Sequence, residues 1–94
     1  MGLNTELTLK VFKAFDDVNR IKIINLLSKE KMCGCKILEE LDVSQPTLSH
    51  HMKILCDSGI VISHRRGKWT MYSLSQEGID NARRILDCLL KVHN

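Results

Sequence analysis

The chain has 94 residues, of which 44% are hydrophobic and 27% charged, and its formal net charge is +3. This length supports one small domain with a modest core, and we expect a single domain over residues 1–94. Neither an apolar run of about 18 residues nor a secretory signal pattern is present, so we expect a cytoplasmic protein that does not associate with a membrane.

Two helices are predicted in the N-terminal third of the chain. Apolar residues recur at four-residue steps from Leu3 to Phe15, which indicates a first helix over about residues 4–15. Asp17 or Asn19 can cap a second helix, because short polar side chains accept hydrogen bonds from the free N–H groups of a first turn. The apolar face of this second helix comprises Ile23, Leu26 and Leu27.

A pair of thiols, Cys33 and Cys35, stands at the start of a third helix predicted from Gly34 to Leu41. Residues two apart do not share a face of a regular helix, but they can converge where a loop enters a helix, and Gly34 eases that bend. In a reducing cytoplasm such cysteines are better interpreted as ligands or reactive thiols than as disulfides. Because two thiolates can hold As(III), Sb(III), Cd(II) or Pb(II), the pair is a candidate site for a soft ion.

After a turn at Asp42-Val43, the segment Gln45 to Asp57 is predicted to be the second, groove-reading helix of a helix-turn-helix, with Ser44 as its N-cap. Its apolar stripe comprises Leu48, Met52 and Leu55. An ordinary amphipathic helix would show the same stripe, but polar side chains outside it suit base edges and phosphates. The candidate DNA contacts in this segment are Ser44, Gln45, Thr47, Ser49, His50 and Lys53.

A β-hairpin with a basic tip is predicted directly after this helix, with strands at residues 60–65 and 69–74. A hairpin in this place is the wing of a winged helix. Between residues 43 and 76 the only acidic residue is Asp57, so the net positive charge of the chain belongs to this segment. The negative phosphates of a DNA backbone attract such a cluster of positive charge. The cluster therefore favours DNA binding over the alternative that these charges only face solvent. The candidate DNA contacts in the wing are Arg65, Arg66 and Lys68.

Ser75 is predicted to cap a last helix that extends to about Val92. The first and last helices both carry apolar residues over a wider arc than one small domain can bury. We therefore expect a mainly helical winged helix-turn-helix with a small β-hairpin, homodimeric through these two helices and bound to double-stranded operator DNA. The candidate interface residues are Leu7, Val11, Ile85, Leu86 and Leu89.

Four other side chains have predicted roles. His51 lies nearer the apolar side of its helix and is expected to be partly buried with its polar atoms satisfied. Cys56 is interpreted as a small packing residue, and Cys88 as packing in the dimer interface. Trp69 is expected to anchor the wing in the core.

With these motifs the chain resembles the ArsR/SmtB family of metal-responsive winged-helix repressors, from about Glu6 to Val92. The resemblance rests on four segments: Asp17-Val18-Asn19-Arg20, Cys33-Gly34-Cys35, the run from Ser44 to His51, and Arg66-Gly67-Lys68-Trp69. The chain looks most like the arsenic-responsive branch, which has a Cys-x-Cys at this place and acts as homodimers on operators of resistance operons. The resemblance implies DNA binding without a cofactor, and release when As(III), Sb(III) or another soft ion binds Cys33 and Cys35.

Three features depart from the family pattern. Many arsenic repressors have a third cysteine where this chain has Leu38, so a third thiolate would come from Cys56, Cys88, the second subunit or an external thiol. The last helix lacks the spacing of aspartate and histidine that forms the family's zinc sites. His50 stands where some members have arginine.

Other functions remain open from the sequence. A bridge between Cys88 and either Cys33 or Cys35 would make the protein a redox or sulfur-species sensor of the same fold. A protein-binding winged helix with structural cysteines would show no salt-dependent binding to DNA. An enzyme is the least favoured class, because no set of nucleophile, base and orienting group is recognisable.

Overall fold

A computed structural model describes residues 3–93, so residues 1, 2 and 94 of the predicted domain lie outside the described residues. The elements are α1 (Thr5–Phe15), α2 (Val18–Leu27), β1 (Met32–Cys33), α3 (Gly34–Glu40), α4 (Gln45–Asp57), β2 (Val61–Arg66), β3 (Trp69–Leu74) and α5 (Gln76–Leu89). This order confirms the predicted winged helix-turn-helix, with α3 and α4 as its two helices. Within the described part of the chain, no helix has the length and apolar character needed to cross a membrane.

Polar caps set the beginnings of the main helices. Asn4 caps α1, and Asp17 rather than Asn19 caps α2, with its carboxylate accepting from the backbone N–H groups of Asn19 and Arg20. Ser44 caps α4 as predicted, because its Oγ accepts from the N–H of Thr47 at 3.3 Å. Each cap satisfies donors that have no partner inside the helix, which explains why the predicted starts agree with the structure.

The wing belongs to a three-stranded antiparallel sheet with the strand order β1-β3-β2. Strands β2 and β3 pair from Val61 opposite Leu74 to Arg66 opposite Trp69, which leaves a two-residue loop. Gly67 opens that loop with a φ of 63°, a left-handed conformation that two-residue hairpin loops require. The short strand β1 was not predicted, since two residues carry too little pattern to identify a strand.

The core draws one or more buried apolar side chains from every element except β3, which contributes half-buried ones. Its most enclosed members are Ala14, Ile23, Ile37, Leu55, Ile60 and Val61. The start of α5 approaches the end of α4 so closely that a Cβ at Gly78 would overlap the carbonyl of Gly59. Gly59, with a φ of 82°, follows the C-cap Ser58 and ends α4 as expected.

Helix α5 ends at Leu89, three residues before the predicted end near Val92. Leu90 and Val92 are 71% and 84% exposed, so the described residues 3–93 bury little of the apolar surface that would support another turn. Short helical turns need such tertiary packing to persist, which is why the sequence pattern overestimated the helix.

Candidate DNA-binding surface and thiol pair

Helix α4 divides into a buried face and an exposed face. Leu48, Met52 and Leu55 are at most 3% exposed and pack in the core, which confirms the predicted stripe. All the candidate DNA contacts on this segment lie on the exposed side, namely Ser44, Gln45, Thr47, Ser49, His50 and Lys53. The structure thus leaves all of them accessible from solvent.

The wing presents three cations to solvent. Arg65, Arg66 and Lys68 are exposed, and among residues 3–93 no carboxylate lies within ion-pair distance of them. Lys53 differs, because its Nζ lies 3.2 Å from Oδ2 of Asp57 on the same helix. The unpaired charge of this surface is therefore concentrated in the wing.

Trp69 does not anchor the wing in the core, contrary to expectation, and is 52% exposed. It is the first residue of β3 and pairs with Arg66 at the tip of the hairpin, beyond the reach of the core. The Nζ of Lys68 lies 5.8 Å from the centre of the indole ring, within the range of a cation–π contact. Trp69 therefore belongs to the exposed surface of the wing, whereas the sequence analysis placed it in the core. Its basic neighbours in the sequence could have indicated this exposed position.

Cys33 and Cys35 meet at the junction of β1 and α3, as their spacing around Gly34 predicts. Their Sγ atoms are paired in a disulfide, with the two Cα atoms 5.3 Å apart. Cys33 is half-buried and is the N-cap of α3, where its Sγ accepts a hydrogen bond of 3.3 Å from the N–H of Lys36. Because Cys35 is exposed, the pair is open to a ligand or a reductant from solvent.

The sequence favours reactive thiols at this place, whereas the structure holds the two sulfurs in bonded form. Soft ions bind thiolates, so such an ion would bind the reduced pair. Within residues 3–93, no group of three or more histidine, cysteine, aspartate or glutamate side chains is arranged to hold a metal ion. The chain therefore offers two sulfur donors, which fit a thiophilic ion that takes a further donor from outside this cluster.

The other two cysteines occupy different environments. Cys56 is half-buried against the core, and burial, followed by the nearby charge of Asp57, raises the pKa of its thiol. It therefore stays protonated at neutral pH, which agrees with its interpretation as a packing residue. Cys88 is unpaired and exposed on α5. Leu38, at the position of the family's third cysteine, packs half-buried against the core.

The thiol pair lies beside β3, one of the two strands of the wing. Cys33 is paired with Met71 of β3, and the ring of Tyr72 lies so close to Gly34 that a Cβ there would be 3.4 Å from its Cε2. Strand β3 then continues back to the exposed wing tip at Trp69. A change in the bonding of Cys33 and Cys35 would therefore act on β3 without any intervening element.

His51 is 6% exposed and therefore more deeply buried than predicted. No buried polar atom of its side chain lacks a hydrogen-bond partner, which agrees with the predicted satisfaction of its polar atoms. Its Nδ1 lies 3.0 Å from Nη1 of Arg20, and its Nε2 lies 3.7 Å from Oδ2 of Asp17. Burial, and then the positive charge of Arg20, lowers the pKa of His51, although Asp17 opposes that change. Arg20 is itself 7% exposed and also donates to the carbonyls of Lys13 and Asp16. The sequence analysis did not identify Arg20 as part of any site.

The candidate interface residues divide into two groups. Val11 and Ile85 are 3% and 5% exposed and belong to the core of the single chain, and Leu7 is half-buried. Leu86 and Leu89 remain exposed on α5. The surplus apolar surface expected on α1 is also present, at Leu9, Phe12 and Phe15. Between α1, α5 and the base of the hairpin lies an apolar groove of about 260 Å³.

Comparison with known proteins places these features in a family. The bacterial regulatory proteins of the arsR family match residues 17–63. An arsenical resistance operon repressor from Staphylococcus xylosus is 40% identical over 84% of this chain and 76% of that protein. A Staphylococcus aureus homolog of a cadmium resistance transcriptional regulatory protein is 39% identical over 74% of this chain and 59% of that protein. A crystal structure of an ArsR family transcriptional regulator superposes with a TM-score of 0.84 at 21% identity, covering 95% of this chain and 92% of the other.

Proposed function

Because the chain belongs to the ArsR family of bacterial regulatory proteins, whose members are transcriptional regulators rather than enzymes, we propose that it is a homodimeric repressor induced by a thiophilic ion at Cys33 and Cys35. As(III) and Sb(III) are the first candidates, and Cd(II) and Pb(II) share their affinity for thiolates. The observation that carries the proposal is the meeting of two cysteine sulfurs at the end of β1, which belongs to the same sheet as the wing. The arsenical and cadmium resistance regulators among the relatives support this ligand class.

In the DNA complex, α4 enters the major groove and the wing contacts the phosphate backbone. The exposed face of α4 carries short polar side chains of the kind that base edges require, and its N-terminal residues lead into the groove. The unpaired cations Arg65, Arg66 and Lys68 neutralise phosphates, with Trp69 beside them. No cofactor takes part in this binding, and the whole chain acts as one domain over residues 1–94.

The second subunit covers the apolar surface that one chain leaves exposed. Leu86 and Leu89 on α5 and Phe12 and Phe15 on α1 are each more than 40% exposed. All of them except Leu89 line the apolar groove. Monomers rarely leave a contiguous apolar patch of this kind open to water. A dimer of winged helices also presents two copies of α4, which matches an imperfect palindrome in the operator.

Release follows from linkage between the ion and the DNA. An inducer shifts the equilibrium only if it binds the DNA-free form more tightly than the DNA-bound form. Binding of an ion by Cys33 and Cys35 changes the junction of β1 and α3, and therefore both the wing strand β3 and the first helix of the helix-turn-helix. This change moves the wing and the recognition helix out of the relative position that they hold on DNA.

The test uses the reduced protein and an operator selected from a random duplex library. Fluorescence anisotropy of the labelled operator is followed during titration with As(III), Sb(III), Cd(II), Pb(II) and Zn(II). Cys33→Ser and Cys35→Ser should each keep operator affinity near that of the wild type and lose release by As(III), since a serine hydroxyl stays protonated at neutral pH. Cys56→Ser and Cys88→Ser are the matched controls. Normal release of the Cys33→Ser, Cys35→Ser double variant by As(III) would contradict the ligand site.

A thiol-redox sensor is the second candidate, and the disulfide between Cys33 and Cys35 favours it. In that step the two thiols lose two electrons and two protons to a peroxide, whose oxygens leave as water and, for an organic peroxide, an alcohol. Peroxide would then release the operator, and dithiothreitol would restore binding. The variant Cys88→Ser distinguishes a disulfide between Cys33 and Cys35 from a bridge to Cys88. If the sensor forms a bridge to Cys88, the variant should no longer respond to peroxide or polysulfide. If the sensor is the local pair, the variant should respond as the wild type does.

A further inference from the structure

A buried contact joins Arg20 of α2 to His51 on the inner side of the recognition helix α4, away from the proposed DNA-binding surface. The two residues are 31 positions apart, on α2 and α4, and both are less than 10% exposed. Among residues 3–93, no buried side-chain nitrogen or oxygen lacks a partner, so this contact belongs to a fully satisfied polar network. Such networks specify one arrangement of the elements they join, because every misaligned alternative leaves a buried polar group unpaired.

Arg20 connects three helices through one guanidinium group. Its Nε donates to the carbonyl of Lys13 at 3.1 Å, and its Nη2 donates to the carbonyl of Asp16 at 3.2 Å, both at the end of α1. Its Nη1 lies 3.0 Å from Nδ1 of His51. The rigid fork of the guanidinium makes these three directions interdependent. The end of α1, one of the two proposed dimer helices, is thereby tied to the centre of the recognition helix.

The contact also determines the protonation state of His51. An arginine side chain has donors and no acceptor, so Nδ1 must offer a lone pair, and the imidazole must be neutral with its proton on Nε2. Nε2 lies 3.7 Å from Oδ2 of Asp17, so that proton is near a carboxylate. A second proton on Nδ1 would place two donors against each other and a second positive charge beside the guanidinium.

We propose that Arg20 and neutral His51 are positioning residues that hold the recognition helix at the angle required by the operator, and that protonation of His51 breaks this alignment and weakens operator binding. The inference rests on the proposed DNA-binding function. It assigns a role to two residues that lie inside the domain and not on its DNA surface.

The charged or titratable groups that face His51 are Asp17 and Arg20 on α2 and His50 on its own helix. Asp17 favours the protonated form, whereas burial, Arg20 and His50 disfavour it, and the net effect keeps the pKa of His51 below its ordinary value of 6.5. Helix α1 contributes the two carbonyls bound to Arg20. The balance keeps the contact intact at neutral pH and opens it only under acidic conditions.

The test compares operator affinity from pH 7.5 to pH 5 at constant ionic strength for the reduced wild type and His51→Asn. The asparagine Oδ1 replaces Nδ1 as an acceptor for Arg20 and cannot be protonated. The wild type should lose affinity as the pH falls through the lowered pKa of His51, by up to about tenfold per pH unit for a single linked proton. His51→Asn should bind nearly as well as the wild type at pH 7.5 and keep that affinity in acid.

His50→Asn is the matched control on the DNA-facing side. His50 is exposed and takes no part in the contact with Arg20, so this variant should retain the acid loss of the wild type. Arg20→Lys, which cannot reach three acceptors at fixed angles, should lower operator affinity at pH 7.5 while circular dichroism reports an unchanged helix content.

Two results would overturn the positioning role: a flat pH profile in the wild type, or an equal loss in His51→Asn and the wild type. If the protein selects no operator at pH 7.5, then the DNA-binding function fails, and the positioning role fails with it. A protein that binds its operator but shows no dependence on His51 loses only the positioning role.

Discussion

Neutralising the wing gives a quantitative test of how the protein binds DNA. The triple variant Arg65→Ala, Arg66→Ala, Lys68→Ala removes three exposed cations that have no carboxylate partner among residues 3–93. Each phosphate contact contributes about 0.9 to the slope of log K against log salt, so three contacts contribute about 2.7. Between about 50 and 200 mM salt, the wild type should therefore lose about 40-fold more affinity than the variant.

The assay is fluorescence anisotropy with operator and non-operator duplexes at four or more salt concentrations. In the proposed complex the wing contacts phosphates and not bases, so the variant should lose affinity for both duplexes to a similar extent. Lys53→Ala serves as the matched control. Its cation is paired with Asp57 at 3.2 Å, and a phosphate must first displace that carboxylate, so its effect on the slope should be below that of any single wing cation.

An unchanged salt slope in the folded triple variant would refute the assignment of the wing to the phosphate backbone. A loss confined to the operator duplex would instead show that the wing reads bases. Circular dichroism and thermal unfolding establish that the variant is folded, and the exposure of all three side chains predicts little change in either.

Other predictions follow from packing and titration. Leu86→Glu should give monomers in sedimentation velocity. Ile62→Glu, which changes a residue of similar exposure (41%) on the hairpin, should remain dimeric. A monomeric wild type at micromolar concentration would contradict the proposed dimer. Gly78→Ala should lower the free energy of unfolding in denaturant by about 1–3 kcal/mol, because the added Cβ overlaps the Gly59 carbonyl. The Cβ of Gly34→Ala would meet only the ring edge of Tyr72 at 3.4 Å, so this variant should lose less stability. Equal losses in the two variants would contradict the close approach of Gly78 to Gly59. The pKa of His51 is lower in the folded chain than its ordinary value of 6.5, so its contribution to stability should be complete above pH 6.5 and lost as the pH falls through the folded value. Thermal unfolding at several pH values should show a smaller acid loss of stability in His51→Asn than in the wild type. Equal losses in the two proteins would contradict this linkage.

Local sequence signals were sufficient for the elements that carry the DNA-binding surface. Ser44 and Asp17 cap their helices, and the stripe of Leu48, Met52 and Leu55 is buried, because capping and helical periodicity act over a few neighbouring residues. The convergence of Cys33 and Cys35 also followed from their position at a helix start. These features depend on contacts within about four residues and are therefore visible in the sequence pattern.

The remaining features depend on contacts between distant parts of the chain. Strand β1 exists only because Met32 and Cys33 pair with β3, about 40 residues later. Trp69 has the composition of a core residue, but its place at the hairpin tip leaves it exposed, and no local signal measures that distance from the core. The contact between Arg20 and His51 spans 31 positions and joins side chains whose burial depends on how three helices pack. Residue identity made these partners possible, whereas the packing of the helices and the sheet decided which of them meet.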